Sequence, residues 1–177
     1  MKYISPYNEH WPLMFEQIAL YLGCELPGAC RIHHVGSTSI PGMPAKDIID
    51  VDIECPPGAM ASIIVALHRT EYVHEGDKGI PAREAFRPAP GSRAAELPRH
   101  HLYACESGAR ELVRHLAFRD YLAAHAHRAK WLADEKVSSD TAAHSREAYI
   151  EGKSAAYDVI TGEALTWADR SADQKPR

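Results

Sequence analysis

No apolar run in the chain approaches the ~20 residues needed to span a bilayer. The longest, Ile63 to Leu67, has the length of a piece of buried helix. Glu9 and His10 stand where a secretory leader would need an apolar segment, which points to a cytoplasmic protein. Cysteine is scarce. Cys24, Cys30, Cys55 and Cys105 show no CxxC spacing and read as free thiols in a reducing compartment rather than a disulfide frame. An excess of positive charge is also missing, since 20 Lys and Arg face 24 Asp and Glu for a net charge of -4. That excludes a general basic face for long RNA or DNA and leaves room for a local basic pocket. What is present suits one globular domain: 177 residues, 45% of them apolar and 25% charged, enough to bury a core. Residues 1–165 are expected to form that domain, and 166–177 a polar, disordered tail.

Trp11, Met14, Phe15, Ile18, Tyr21 and Leu22 recur at three- and four-residue steps and predict a helix over 8–22. Asn8 is its expected cap, with Pro12 tolerated in the first turn. Short strands are expected at Arg31 to Val35 and Asp47 to Glu54, then a helix at Met60 to Thr70. Further strands follow at Tyr72 to His74, Glu84 to Arg87 and His100 to Cys105. Pro88 to Pro98 reads as a flexible loop by composition. Three helical segments close the chain: one spanning Leu112 to Leu122, one at Ala129 to Val137, and one at Arg146 to Leu165. The order predicts an α+β fold, one mixed sheet backed by helices with a helical C-terminal part.

The segment Ile32 to Glu54 carries the chemistry. On its second strand Ile49, Val51 and Ile53 point one way, and Asp50, Asp52 and Glu54 the other. Alternate carboxylates lie ~7 Å apart at Cα and can converge on one divalent cation, Mg²⁺ or Mn²⁺ by the hardness of the ligands. An ordinary acidic outer face would give the same alternation. The preceding Gly36-Ser37-Thr38-Ser39 turn adds weight: glycine admits a close ligand, and N–H groups and hydroxyls there can cradle phosphate oxygens.

Val35-Gly36-Ser37 followed by Asp50-Val51-Asp52 resembles the signature of the nucleotidyltransferase superfamily, the polymerase-β-like fold. More specifically, HVGSTSIPGMPAKDIIDVDI resembles the signature of the GrpB family. The Tyr7, Trp11, Phe15 opening, His100-His101-Leu102-Tyr103, Phe118-Arg119-Asp120-Tyr121-Leu122, and Tyr149 with Lys153 agree with it. The resemblance spans about Ile4 to Leu165. It implies a mixed sheet, a nucleoside triphosphate held by Gly36 and Ser37, and Mg²⁺ held by Asp50 and Asp52. A third carboxylate normally comes from a later strand in this superfamily; here that strand offers His100 to Tyr103, without Asp or Glu.

Several side chains are candidates to complete the site. Lys46 could neutralise phosphate, or be a solvated lysine at a strand start. Arg83 and Arg87 could grip phosphate or carboxylate, or pair with Glu84. The pairs His33-His34 and His100-His101 could ligate metal or act as bases, or be hydrogen-bonded structural residues; His101 is the candidate general base. Arg119 and Asp120 read equally as a tie between helix and sheet or as a substrate contact. Tyr149 and Lys153 read as one pocket or as helix-surface packing. The leading expectation is an Mg-dependent nucleotidyltransferase-like protein acting on a small-molecule acceptor, with the Pro88 to Pro98 loop and the C-terminal helices closing over it. The alternatives are a non-catalytic nucleotide or phosphometabolite-binding module and a histidine-rich metallohydrolase.

Overall fold

The computed structural model describes residues 3–173, with every side chain in that range except those of 146, 153, 172 and 173. The chain divides into two compact units. The sheet unit comprises His10–Val35 and Ile48–Val113; the helical unit takes in the N-terminal stretch to Glu9, Gly36–Asp47 and the chain from Arg114 on.

In the sheet unit, α1 (Trp11–Gly23) buries Trp11, Ile18 and Leu22. It starts later than its apolar pattern suggests, and Asn8 is not its cap: His10 holds the N-cap position, and the first helical bond runs from the Met14 N–H to the His10 carbonyl (2.9 Å). Pro12 is the cause, because a residue without an N–H fits only the first turn. The strands are β1 (Arg31–Val35), β2 (Ile49–Cys55), β3 (Tyr72–His74), β4 (Arg83–Pro88) and β5 (His100–Glu106), with α2 (Met60–Arg69) between β2 and β3. They form one sheet in the order β1-β2-β5-β4-β3, with β2 and β5 parallel and the other pairs antiparallel. Helix α1 packs on β1 and β2, and α2 on β3 and β5. Buried between helices and sheet are Val51, Ile53, Leu102 and Ala104 with Ile63 and Leu67, each such side chain contributing about 1.5–3 kcal/mol when large. The segment expected to be a flexible loop is instead ordered. Arg93–Glu96 forms a 3₁₀ turn capped by the Ser92 hydroxyl, Ala94 is fully buried, and Glu71 accepts the Arg93 N–H at 3.0 Å.

The helical unit holds most of α3 (Arg110–Ala124), α4 (Ala126–Ala142) and α5 (Arg146–Asp173). Its core gathers Ile40, Met43, Phe118, Leu122, Leu132 and Ile160, with a second cluster of Ile4, Ala143 and Tyr149. Helix α5 runs past the expected boundary, so residues 166–173 are helical rather than a disordered tail. Trp167 is the reason: its ring packs edge-on against Tyr121 (6.0 Å) and His125 (5.6 Å), a reward for keeping the helix going. The remainder of the expected tail, 174–177, lies outside the described residues.

Candidate functional site

Register places Asp50, Asp52, His101 and Tyr103 on the sheet face opposite Val51 and Ile53. Asp50 pairs with Val35 on one side and His101 on the other, while Asp52 pairs with His33 and Tyr103. Directly paired residues share a face. His101 Nδ1 lies 2.8 Å from Asp50 Oδ1; a ring N–H donated there leaves the Nε2 lone pair as the basic site of the neutral imidazole. Asp52 is completely buried. This counts against the alternative of an ordinary acidic outer face: only Asp50 and Glu54 keep partial exposure. Glu54 is taken by His33 Nε2 (2.9 Å) and the Ser107 hydroxyl (2.8 Å), and the His33 hydrogen bond, more than any other cause, holds its carboxyl below the usual range. Burial, with Asp52 nearby, pushes the Cys105 thiol up to about 12, which removes it as a nucleophile.

The donor set decides which ion the carboxylates suit. Among the described residues no group of three or more His, Cys, Asp or Glu has metal-holding geometry. Two carboxylates on alternate positions of one strand fit Mg²⁺, which typically takes one or two protein carboxylates and completes its shell with water and phosphate. They do not fit a histidine cage. His34 stacks on Phe15 of α1 (4.8 Å), and His100 sits between the Pro98 carbonyl (2.7 Å) and the Tyr72 hydroxyl (2.8 Å), both away from Asp50.

The Gly36-Ser37-Thr38-Ser39 segment lies in the helical unit as a 3₁₀ turn over Ser37–Ser39. Gly36 adopts φ 70°, ψ −168°, a region essentially closed to other residues. The N–H groups of Ser39 and Ile40 close the turn, and the Ser39 hydroxyl donates to the Gly36 carbonyl at 2.7 Å. Thr38 is buried.

Two residues that the sequence reading missed meet this turn. Lys136 of α4, 1% exposed, donates from Nζ to Ser37 Oγ at 2.9 Å, and Tyr157 of α5 places its hydroxyl 2.5 Å from the same oxygen. Beside them a cavity of about 130 Å³ is lined by Gly36, Arg114, His115, Phe118 and Tyr157. The signal for Lys136 lies in the packing of α4. Leu132, Lys136 and Asp140 recur every four residues along one α4 stripe, so two charged residues occupy core positions. Asp140 accepts the backbone N–H groups of Tyr3 (2.6 Å) and Ile4 (3.1 Å).

The other candidates separate. Lys46 lies in the helical unit, its ammonium 5.9 Å from the Tyr149 ring centroid. Arg83 and Arg87 share a face of β4, but neither pairs with Glu84, whose carboxylate faces the other way onto His74 (2.6 Å). Arg83 lies over the Tyr103 ring at 4.4 Å, and Arg87 Nε reaches Glu75 at 3.4 Å. Arg119 Nε donates to its neighbour Asp120 at 2.7 Å. Tyr149 is buried and stacked on Tyr3, and the Lys153 side chain lies outside the described residues. The ordered 3₁₀ turn pinned by Glu71 does not suit a closing lid at 88–98.

A mixed five-stranded sheet backed by helices, with alternate aspartates on a central strand, defines a nucleotidyltransferase-like fold. The chain belongs to the GrpB family, whose model (GrpB protein) matches residues 3–163. It is 36% identical over 168 residues to UPF0157 protein YqkA of Bacillus subtilis, covering 91% of this chain and 46% of that one. It is also 32% identical over 169 residues to UPF0157 protein PA4798 of Pseudomonas aeruginosa, covering 92% and 67% respectively. The chain thus spans about half the length of YqkA. Among solved structures, conserved protein GrpB from Enterococcus faecalis matches with a TM-score of 0.76 at 28% identity, over 93% of this chain and 98% of that one. The Cid1 poly(U) polymerase, solved with MgGTP bound, matches with a TM-score of 0.51 at 11% identity, over 77% and 45%. That likeness concerns the fold alone. No helix among the described residues is long and apolar enough to cross a membrane.

Proposed function

We propose that this protein binds a nucleoside triphosphate with Mg²⁺ and transfers its nucleotidyl group to a small hydroxyl-bearing acceptor. The observation that carries this reading is the buried Lys136 ammonium on the Ser37 hydroxyl of the Gly36 turn. A buried charge is retained at a cost; here it donates to the glycine turn, and Gly36 of that turn lines a small cavity with Arg114 and His115 on its wall. That is chemistry for phosphate. Asp50 and Asp52 supply the hard oxygen ligands, and Mg²⁺, when bound, neutralises charge on the phosphate oxygens.

In the transfer, the acceptor hydroxyl oxygen forms a bond to the α-phosphorus. The bond from that phosphorus to the α,β-bridging oxygen breaks, and pyrophosphate leaves with the electron pair. The hydroxyl proton passes to Nε2 of His101, whose Nδ1 is held by Asp50. A second reading, nucleotide binding without turnover, is favoured by one observation: the β5 partners of Asp50 and Asp52 are His101 and Tyr103, not a third carboxylate.

Calorimetric titration of ATP, GTP, CTP and UTP, with and without Mg²⁺, tests the proposal. Mg-dependent binding that weakens about tenfold or more in Asp50→Asn is expected. Absence of binding by every nucleotide to folded wild type contradicts both readings. Binding with no pyrophosphate released across a panel of hydroxyl acceptors favours the second.

A further inference from the structure

Arg83 is the least explained charged group of the sheet unit. It begins β4 and is only 8% exposed, and its Nε–H has no acceptor among the described residues. Its guanidinium carbon lies 4.4 Å from the Tyr103 ring centroid, a cation–π contact that uses none of the N–H donors. Leaving such a donor unmade in the interior costs about 1–3 kcal/mol, so a folded chain keeps it where something else is meant to accept it.

The surroundings say what that is. Arg83 lines a cleft of about 280 Å³ together with Lys78, Arg87, His101, Tyr103 and Glu75. Three cationic side chains meet one carboxylate, and Glu75 is already shared between Lys78 (3.5 Å) and Arg87 (3.4 Å). Both of those partners are about half exposed, so the pairs are worth little and yield readily to an incoming anion. The volume falls below that of pockets for drug-sized ligands, which limits the occupant to a small molecule. His101 joins the cleft to the metal carboxylates, since it lines the cleft and holds Asp50 at 2.8 Å.

We infer that the cleft between β4 and β5 binds the anionic group, phosphate or carboxylate, of a small hydroxyl-bearing molecule, gripped by Arg83 and Arg87. That this molecule is the acceptor rests on the transferase reading above; the anion binding does not. A forked guanidinium suits either oxyanion bidentately, and the hydroxyl would lie on the His101 side.

The test reads the Arg83 Nε–H resonance in ¹H–¹⁵N spectra during titration with inorganic phosphate, glycerol 3-phosphate and glycerate. Saturable movement of that resonance is expected, and the two organic probes show whether phosphate or carboxylate is preferred. Arg83→Lys, which keeps the charge and loses the fork, should weaken binding about tenfold, read in that variant from the Arg87 Nε–H resonance. Arg87→Gln, on the exposed rim and safe for folding, should weaken it about threefold, read from the same Arg83 signal. An Arg83 resonance unmoved by all three probes into the tens of millimolar overturns the inference, as does movement unaltered by Arg87→Gln. Adding MgATP to the same sample separates the two claims. Anion binding without any nucleotide response keeps the cleft and removes the transferase reading; the reverse keeps the reading and removes the cleft.

Discussion

Lys136 shows how one side chain can be judged by what its burial requires. At 1% exposure its ammonium has left water, and the Ser37 hydroxyl at 2.9 Å is one of the groups that take its place. Lys136→Met keeps the volume and removes the charge. Chemical denaturation should show stability lowered by about 1–3 kcal/mol, since the acceptors of the ammonium are left unpaired in the interior. MgATP affinity should fall about tenfold or more in the same protein. MgATP affinity unchanged in the folded variant would make Lys136 a folding residue alone. Gly36 is judged by backbone alone. With φ 70° and ψ −168°, Gly36→Ala should cost about 1–3 kcal/mol, read from the denaturation midpoint. These two residues also mark what a sequence can and cannot say. Gly36 announces itself, because a Gly-Ser pair after an apolar strand is visible in one dimension. Lys136 looks like any helical lysine until α4 is known to bury the Leu132–Asp140 stripe.

At the scale of elements, β2 was readable in its alternation but not in its burial. Strand periodicity says that Asp50 and Asp52 share a face; only the packed molecule says that Asp52 is closed off and Asp50 is not. The β3–β4 connection carries a cost that sequence hides: exposed Ala82 sits at φ 59° beside Arg83. Ala82→Gly should therefore stabilise the fold by about 0.5–1 kcal/mol in urea titrations. On β5, burial lowers the His100 pKa below its ordinary value. Its Nδ1–H donates to the Pro98 carbonyl and its Nε2 accepts from Tyr72, so protonating Nε2 breaks that contact. A depressed histidine pKa contributes stability that is complete above the unfolded value of about 6.5 and is lost as pH falls toward the folded one. Urea midpoints should thus decline below about pH 6.5, and less steeply in His100→Gln. The Pro88–Pro98 segment misled by composition, since Pro, Gly and Ser mark irregular backbone but not mobility. Ser92 and Glu71 supply the hydrogen bonds that order it.

For the whole molecule, fold class was legible because it rests on patterns that survive in one dimension: two periods and the turns between them. The division into a sheet unit and a helical unit was not, because the helical unit is assembled from segments far apart in the chain. The carboxylate and phosphate halves of the proposed chemistry likewise come from separate stretches, Ile48–Val113 and Gly36–Asp47. The central claim is that metal and nucleotide bind as one species. Electron paramagnetic resonance of free Mn²⁺, titrated against the protein with and without ATP, tests it most directly. Weak Mn²⁺ binding to the protein alone, tightened about tenfold or more by ATP beyond what MnATP formation explains and abolished in Asp50→Asn, is the predicted result. Mn²⁺ binding indifferent to ATP, or unchanged in Asp50→Asn, would contradict it.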